Sequence, residues 1–243
     1  MLDGLFGGPK SRSLLGVDIS SSAVKVLELS RSGDKLRVES YAVMSLPPQS
    51  VVEKNLVEVE AVGETIKAVH ARSRSKVNKA AAAVPGSAVI TKILRMPADM
   101  NDNAMETQIS LEADQYIPYP LDEVALDFEV MGVAEDSSDQ AEVMLVACRR
   151  DNVDSRVEAL EIGGLEPKVM DVEAYAVERS FELMAGQLGC DENTVVAIVD
   201  IGASMTSLSV IVNNETVYTR DQLFGGRQLT EEIQRRYGLS AEE

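Results

Sequence analysis

The sequence predicts an α/β (α+β) chain made of two related domains with a segment inserted between them. Three observations carry this. The string Val-Asp-Ile, running into a turn of small residues, occurs twice, at Val17-Asp18-Ile19 and at Val199-Asp200-Ile201. Short apolar runs of strand length alternate with amphipathic stretches of helical period in both halves. At Pro85-Gly86 this pattern changes, and it resumes near residue 166.

Taken in order, residues 1–12 form a flexible lead-in marked by Gly7-Gly8-Pro9. Residues 14–19 are a buried strand that ends in Asp18 and the serine turn Ser20-Ser21-Ser22. Residues 24–30 give the return strand, 31–34 a turn, and 35–46 a third strand stopped by Pro47-Pro48. Across 56–72, Leu56, Val59, Val62, Ile66 and Val69 recur every three or four positions and predict a helix. A short buried strand at 80–84 closes the first domain, 13–84.

The inserted segment spans 85–165. It should hold a strand at 89–96, then a helix over 99–116 with Met105, Ile109 and Ala113 on one face. The break Ile117-Pro118-Tyr119-Pro120 ends that helix, because proline cannot continue one. Strands at 124–130 and 142–148 follow, joined by a polar loop at 135–140. A helix at 151–162 is capped by Asp151 or Asn152 and closed by Gly163-Gly164. The second domain, 166–243, should contain a strand at 167–171, a helix at 173–188, and a meander at 194–201, 206–212 and 215–219. Its turns fall at 202–204 and at Asn213-Asn214. Gly225-Gly226 opens a last helix, with Leu229, Ile233 and Tyr237 four apart.

Composition narrows the function. The net charge is −17, but residues 1–95 hold 14 Lys and Arg against 9 Asp and Glu, a net +5, and the remainder carries −22. With no Trp and 4% aromatics, this profile excludes a nucleic-acid binder with stacking platforms. The basic run Arg72, Arg74, Lys76, Lys79 fits either an anionic membrane or acidic partner, or a solvated helix end. His70 is the only histidine, which excludes a histidine-based metal site or triad. Cys148 and Cys190 lie far from any CxxC spacing and read as buried thiols of a reducing compartment. No run approaches the ~18 consecutive apolar residues of a membrane span. The start has no basic stretch before an apolar core, so it is not read as a secretory signal.

The repeated hairpin suits phosphate. Ser20, Ser21 and Ser22 fall opposite Gly202, Ala203 and Ser204, and each turn is followed by two strands and a helix. Small residues let the backbone approach an anion, and N–H groups of a tight turn form a concavity for it. A strand-end Asp, expected to be buried, repels phosphate but holds Mg²⁺ through water, which assigns Asp18 and Asp200 to the metal. Lys25, seven residues after Asp18, is placed to reach a terminal phosphate. Each hairpin alone also fits an ordinary β-turn; the pair points to two jaws of one cleft.

Strand, Asp, small turn and strand, twice, with a Gly-Gly before a helix in the second half, resembles the actin-like ATPases. Their fold is ribonuclease H-like and two-domained. The first hairpin is similar to their first phosphate motif and the second to their second, while 85–165 resembles the extra subdomain of the division protein FtsA. Three strings are also similar to the type IV pilus assembly PilM family, over residue 12 to the end. They are Leu14-Leu15-Gly16-Val17-Asp18-Ile19-Ser20-Ser21, Glu112-Ala113-Asp114-Gln115-Tyr116-Ile117-Pro118-Tyr119-Pro120-Leu121 and Leu223-Phe224-Gly225-Gly226-Arg227-Gln228-Leu229-Thr230.

The resemblance implies a cytoplasmic bacterial protein, peripheral at the inner-membrane face, that binds ATP and Mg²⁺. The nucleotide would be held by Asp18, Ser20, Ser21, Ser22, Lys25, Asp200, Gly202, Ala203, Ser204, Thr206, Gly225 and Gly226. The resemblance also implies docking of the N-terminal cytoplasmic segment of PilN, with PilO and the pilus motors connected indirectly. Ile117, Pro118 and Tyr119 are the candidates for lining a groove that would hold this segment. Two departures stand out. Met205 is bulky in a turn that wants small residues, and the family's adenosine-binding Gly-Gly would come later than Glu243, so the second domain is expected to be incomplete.

Three functional readings follow: a nucleotide-binding scaffold, an actin-like ATPase or polymer-forming cytoskeletal protein, and an adaptor that ignores nucleotide. Hydrolysis needs a residue that orients water at the terminal phosphate. The candidates are Asp18, Asp200 and Glu173, and weak or no ATPase activity is expected. Self-association is left open.

Overall fold

The structure is a computed structural model and describes residues 13–33, 35–134, 136–191 and 194–240; the expected lead-in and the last three residues lie outside them. The chain forms two compact units. One joins the residues up to Ser87 with Ser155 onward, and the other is Ala88–Asp154.

The first unit begins with β1 (Leu15–Ile19), β2 (Ala23–Ser32) and β3 (Lys35–Ser45), a small hairpin of β4 (Val51–Val52) and β5 (Asn55–Leu56), then α1 (Val59–Ser73) and β6 (Lys79–Val84). The second unit holds β7 (Val89–Pro97), α2 (Asp102–Glu112), β8 (Val124–Ala134) and β9 (Ser137–Arg149). Helix α3 (Arg150–Ile162) crosses the boundary. The first unit resumes through β10 (Glu166–Val172), α4 (Glu173–Leu188), β11 (Val196–Ile201), β12 (Thr206–Val212), β13 (Glu215–Gln222) and α5 (Gly226–Tyr237).

In the first unit, five strands run in the order β10-β6-β1-β2-β3. The meander β1-β2-β3 is antiparallel, and β6 and β10 add in parallel beside β1. Strand β1 alternates, with Leu15 and Val17 inward and Gly16 and Asp18 outward. Leu15, Val24, Val26, Val62, Ile66, Val69, Ala159 and Leu160 share one core, so sheet, α1 and α3 bury a common apolar face. Helices α1 and α3 meet through glycine. A Cβ on Gly63 would lie 2.5 Å from the Ile162 side chain, and one on Gly163 would lie 2.4 Å from Ile66. A separate antiparallel meander, β11-β12-β13, turns at Asn213 and Asn214, both at positive φ, as a two-residue type I′ hairpin requires.

In the second unit, an antiparallel sheet of order β7-β9-β8 packs with α2 around Leu94, Met105, Ile109, Ile117, Val143 and Leu145. Asn101 caps α2 by accepting from the Ala104 N–H at 3.0 Å, so the helix starts three residues after Asp99.

Several boundaries differ from the sequence reading. The helix expected from 56 begins at Val59, because the Ser50 carbonyl takes the N–H groups of Val57 and Glu58 and holds Leu56 in a hairpin. The polar stretch 135–140 is mostly strand, since β9 begins at Ser137. Asp151 is not the cap of α3; it lies in the first turn and pairs with Arg149 at 2.5 Å. The compact second unit is narrower than 85–165, because Ala159, Leu160 and Leu165 belong to the first unit's core. Among the described residues, no helix is long and apolar enough to cross a membrane.

Candidate functional site

The two Val-Asp-Ile strands fold into equivalent hairpins. In the first, the Ser20 N–H donates to the Ala23 carbonyl at 3.0 Å; in the second, the Gly202 N–H donates to the Met205 carbonyl at 2.9 Å. The cross-strand register agrees as well. Asp18 stands opposite Lys25, and Asp200 opposite Ser207. The turns face each other, with Ser21 Oγ 2.7 Å from Ser204 Oγ. Among the described residues, the N–H groups of Ser21, Ser22, Ala203 and Ser204 make no backbone hydrogen bond, so both turns keep donors for an anion.

Asp18 and Asp200 are exposed rather than buried: Asp18 projects from its sheet on the side opposite Leu15 and Val17, and Asp200 lies near the end of β11 beside the second turn. Lys25 Nζ donates to Asp18 Oδ2 at 2.7 Å. That hydrogen bond raises the Lys25 pKa above its ordinary value; partial burial opposes it, and attraction to Asp18 and Asp200 adds to it. Lys25 is thus a paired cation in the site. Among the described residues there is no group of three His, Cys, Asp or Glu able to enclose a metal.

Met205, the bulky residue of the second turn, is buried at 9% exposure. The Gly-Gly pair closes onto the same turn. The N–H groups of Gly226 and Arg227 donate to the carbonyls of Gly202 and Ala203 at 3.0 and 2.9 Å, and Thr206 Oγ1 donates to the Phe224 carbonyl at 2.7 Å. A Cβ on Gly225 would lie 2.6 Å from the Gly202 oxygen. Gly225, Gly226 and Thr206 thus brace the turn, and the first N–H groups of α5 are already in use.

Glu173 is the first residue of α4, and its carboxylate takes a hydrogen bond from Lys54 Nζ at 2.6 Å. The sequence reading did not single out Lys54. It sits at the tip of the β4–β5 hairpin, and only the unusual run Val51-Val52-Glu53-Lys54-Asn55-Leu56 hinted at a turn without glycine.

The groove candidates divide. Ile117 is 4% exposed and packs in the core of its own unit, which corrects its assignment as a contact residue: the chain needs an apolar plug where α2 ends. Pro118 and Tyr119 are exposed. Neither cysteine is in a disulfide; Cys148 is buried and Cys190 is half-buried, so only the first fits the expected packing role.

Residues 16–243 match the family described as type IV pilus assembly protein PilM. The chain belongs to that family. The PilM family assignment agrees with structural similarity to the PilM–PilN type IV pilus biogenesis complex: TM-score 0.78, 29% identity, covering 96% of this chain and 68% of that one. The ethanolamine utilization protein EutJ from Carboxydothermus hydrogenoformans is similar at TM-score 0.54 and 16% identity, covering 98% of this chain and 62% of that one, a likeness of fold alone. The fold is the actin-like one, and the PilM family assignment gives the chain a role in type IV pilus assembly.

Proposed function

We propose that the chain is an ATP-binding scaffold of the type IV pilus assembly machinery that docks the N-terminal cytoplasmic segment of PilN. The observation that carries the nucleotide half is the contact of Ser21 with Ser204, which sets two like turns face to face with an Asp beside each. Turn N–H groups and serine hydroxyls would take phosphate oxygens, and Asp18 and Asp200 would hold Mg²⁺ through its waters.

Two titrations test this. Asp18→Ala and Asp200→Ala should each weaken Mg-ATP binding by about tenfold or more, roughly 1.4 kcal/mol, in calorimetry. Unchanged affinity in both would refute the nucleotide site. ATP turnover well above ~1 per second would favour the ATPase reading instead.

The partner half is supported by the similarity to the PilM–PilN complex. The exposed Pro118-Tyr119 segment is the proposed contact, since an aromatic beside proline can hold an extended peptide. A synthetic peptide of the PilN N-terminal segment should bind at micromolar concentration, and Tyr119→Ala should weaken it. Through PilN the chain would sit at the cytoplasmic side of the inner membrane and connect with PilO and the pilus motors. The exposed basic run at Arg72, Arg74, Lys76 and Lys79 is compatible with an anionic membrane surface.

A further inference from the structure

The second hairpin lacks the lysine of the first. Lys25 pairs with Asp18, but the residue in the same register opposite Asp200 is Ser207. Cross-strand neighbours project from the same face of a sheet, so the Ser207 hydroxyl marks the face that carries Asp200. An ammonium reaches that hydroxyl from a distant part of the chain: Lys54 Nζ lies 3.3 Å from Ser207 Oγ and 2.6 Å from Glu173 Oε2. The fold therefore equips both jaws with a cation, from the return strand in one case and from the β4–β5 hairpin in the other.

The β4–β5 hairpin fixes the Lys54 backbone. Glu53 and Lys54 both adopt the left-handed region, with φ of 49° and 64°, as a two-residue type I′ loop requires. Arg156, at 2% exposure, donates from Nη2 to the Lys54 carbonyl at 2.7 Å. The Lys54 side chain is 18% exposed and that of Glu173 is 32% exposed, so the pair is partly screened from water.

We propose that Lys54 is a terminal-phosphate ligand of the nucleotide site, held by Glu173 and Ser207 until a nucleoside triphosphate displaces the carboxylate. This rests on the nucleotide reading above. An ammonium has three donors on a flexible stem, so Lys54 can keep Ser207 and exchange Glu173 for phosphate oxygen. A terminal phosphate carries more charge than one carboxylate and attracts the same cation more strongly. Binding of triphosphate thus frees Glu173 at the start of α4, whereas a diphosphate leaves the Lys54–Glu173 pair intact.

Calorimetry with Mg-ATP and Mg-ADP on the full chain tests this with three variants. Lys54→Met should weaken ATP tenfold or more and leave ADP within threefold, and Lys54→Arg should retain most ATP affinity. Glu173→Gln, which removes the competitor, should tighten ATP severalfold without changing ADP. Equal losses for both nucleotides in Lys54→Met, or no loss, would overturn the proposal, as would a Glu173→Gln that binds ATP more weakly. Thermal melts without ligand check folding. If Lys54→Met does not fold, the retained ATP affinity expected of Lys54→Arg and the tightening expected of Glu173→Gln decide the matter. A wild-type chain that binds neither nucleotide would sink the nucleotide reading and this inference together. Binding of both by wild type, with no discrimination in the variants, would sink this inference alone.

Discussion

Ser21 and Ser204 touch through their hydroxyl oxygens at 2.7 Å, although 183 positions separate them in the chain. One of the two must donate to the other, so the bond joins the first hairpin to the second at their tips. The loss of either partner removes the same single bond. Ser21→Ala and Ser204→Ala should each cost about 0.5–1.5 kcal/mol, and the double variant about the same as one of them. Urea unfolding of the three variants checks this; additive losses would show that each serine has other partners.

Gly225 has no room for a side chain. An added Cβ would meet the Gly202 oxygen at 2.6 Å and the Ala203 carbonyl atoms at 2.7 Å, all of them backbone. Gly225→Ala should therefore destabilise by about 1–3 kcal/mol, as overpacking does. Gly226→Ala is the control, because its nearest atom is 3.9 Å away and the position lies in a helix. A thermal shift confined to Gly225→Ala is the expected result.

Arg156 should matter out of proportion to its distance in sequence from the hairpin it holds. Arg156→Met keeps much of the apolar stem but leaves the Lys54 carbonyl without its charged donor. The expected cost is about 1–3 kcal/mol in chemical denaturation. Arg156→Lys should recover part of it, since a cation remains but the fixed fork is lost.

The Lys25–Asp18 pair gives a pH dependence with a definite sign. The folded pKa of Lys25 is raised above 10.5, chiefly by its hydrogen bond to Asp18. The pair therefore stabilises fully below pH 10.5, and that contribution fades as pH rises through the higher folded value. Both side chains are about half exposed, so water screening limits the contribution to about 1 kcal/mol or less. The stability difference between wild type and Lys25→Met should stay flat from about pH 7 to about pH 10 and shrink above that.

The sequence was most readable where side-chain period and turn chemistry decide structure locally. The two hairpins around Asp18 and Asp200, the Asn213-Asn214 turn and the start of α4 at Glu173 all fall where pattern placed them. Long-range choices were not readable. Leu56 continues the apolar spacing of α1, yet Ser50 captures the N–H groups of Val57 and Glu58 and assigns Leu56 to a hairpin. Lys54 shows the same limit in the site: nothing near it in sequence indicates that Arg156 fixes its backbone and Glu173 its ammonium. Ile117 looked like a surface aromatic-proline break but serves as a core plug, because burial depends on what lies beneath the turn.

The five-stranded sheet has a consequence for how the chain is made. Its edge strand β10 and the core residues Ala159 and Leu160 come after the second unit in sequence. A ribosome that has delivered residues up to Ser87 has released an unfinished sheet with an open edge beside β6 and an uncovered core. Ala88–Asp154, by contrast, is one uninterrupted run with its own core and can close as soon as it emerges. The part translated first is therefore completed last, and an exposed β6 edge must be kept from other strands in the interval.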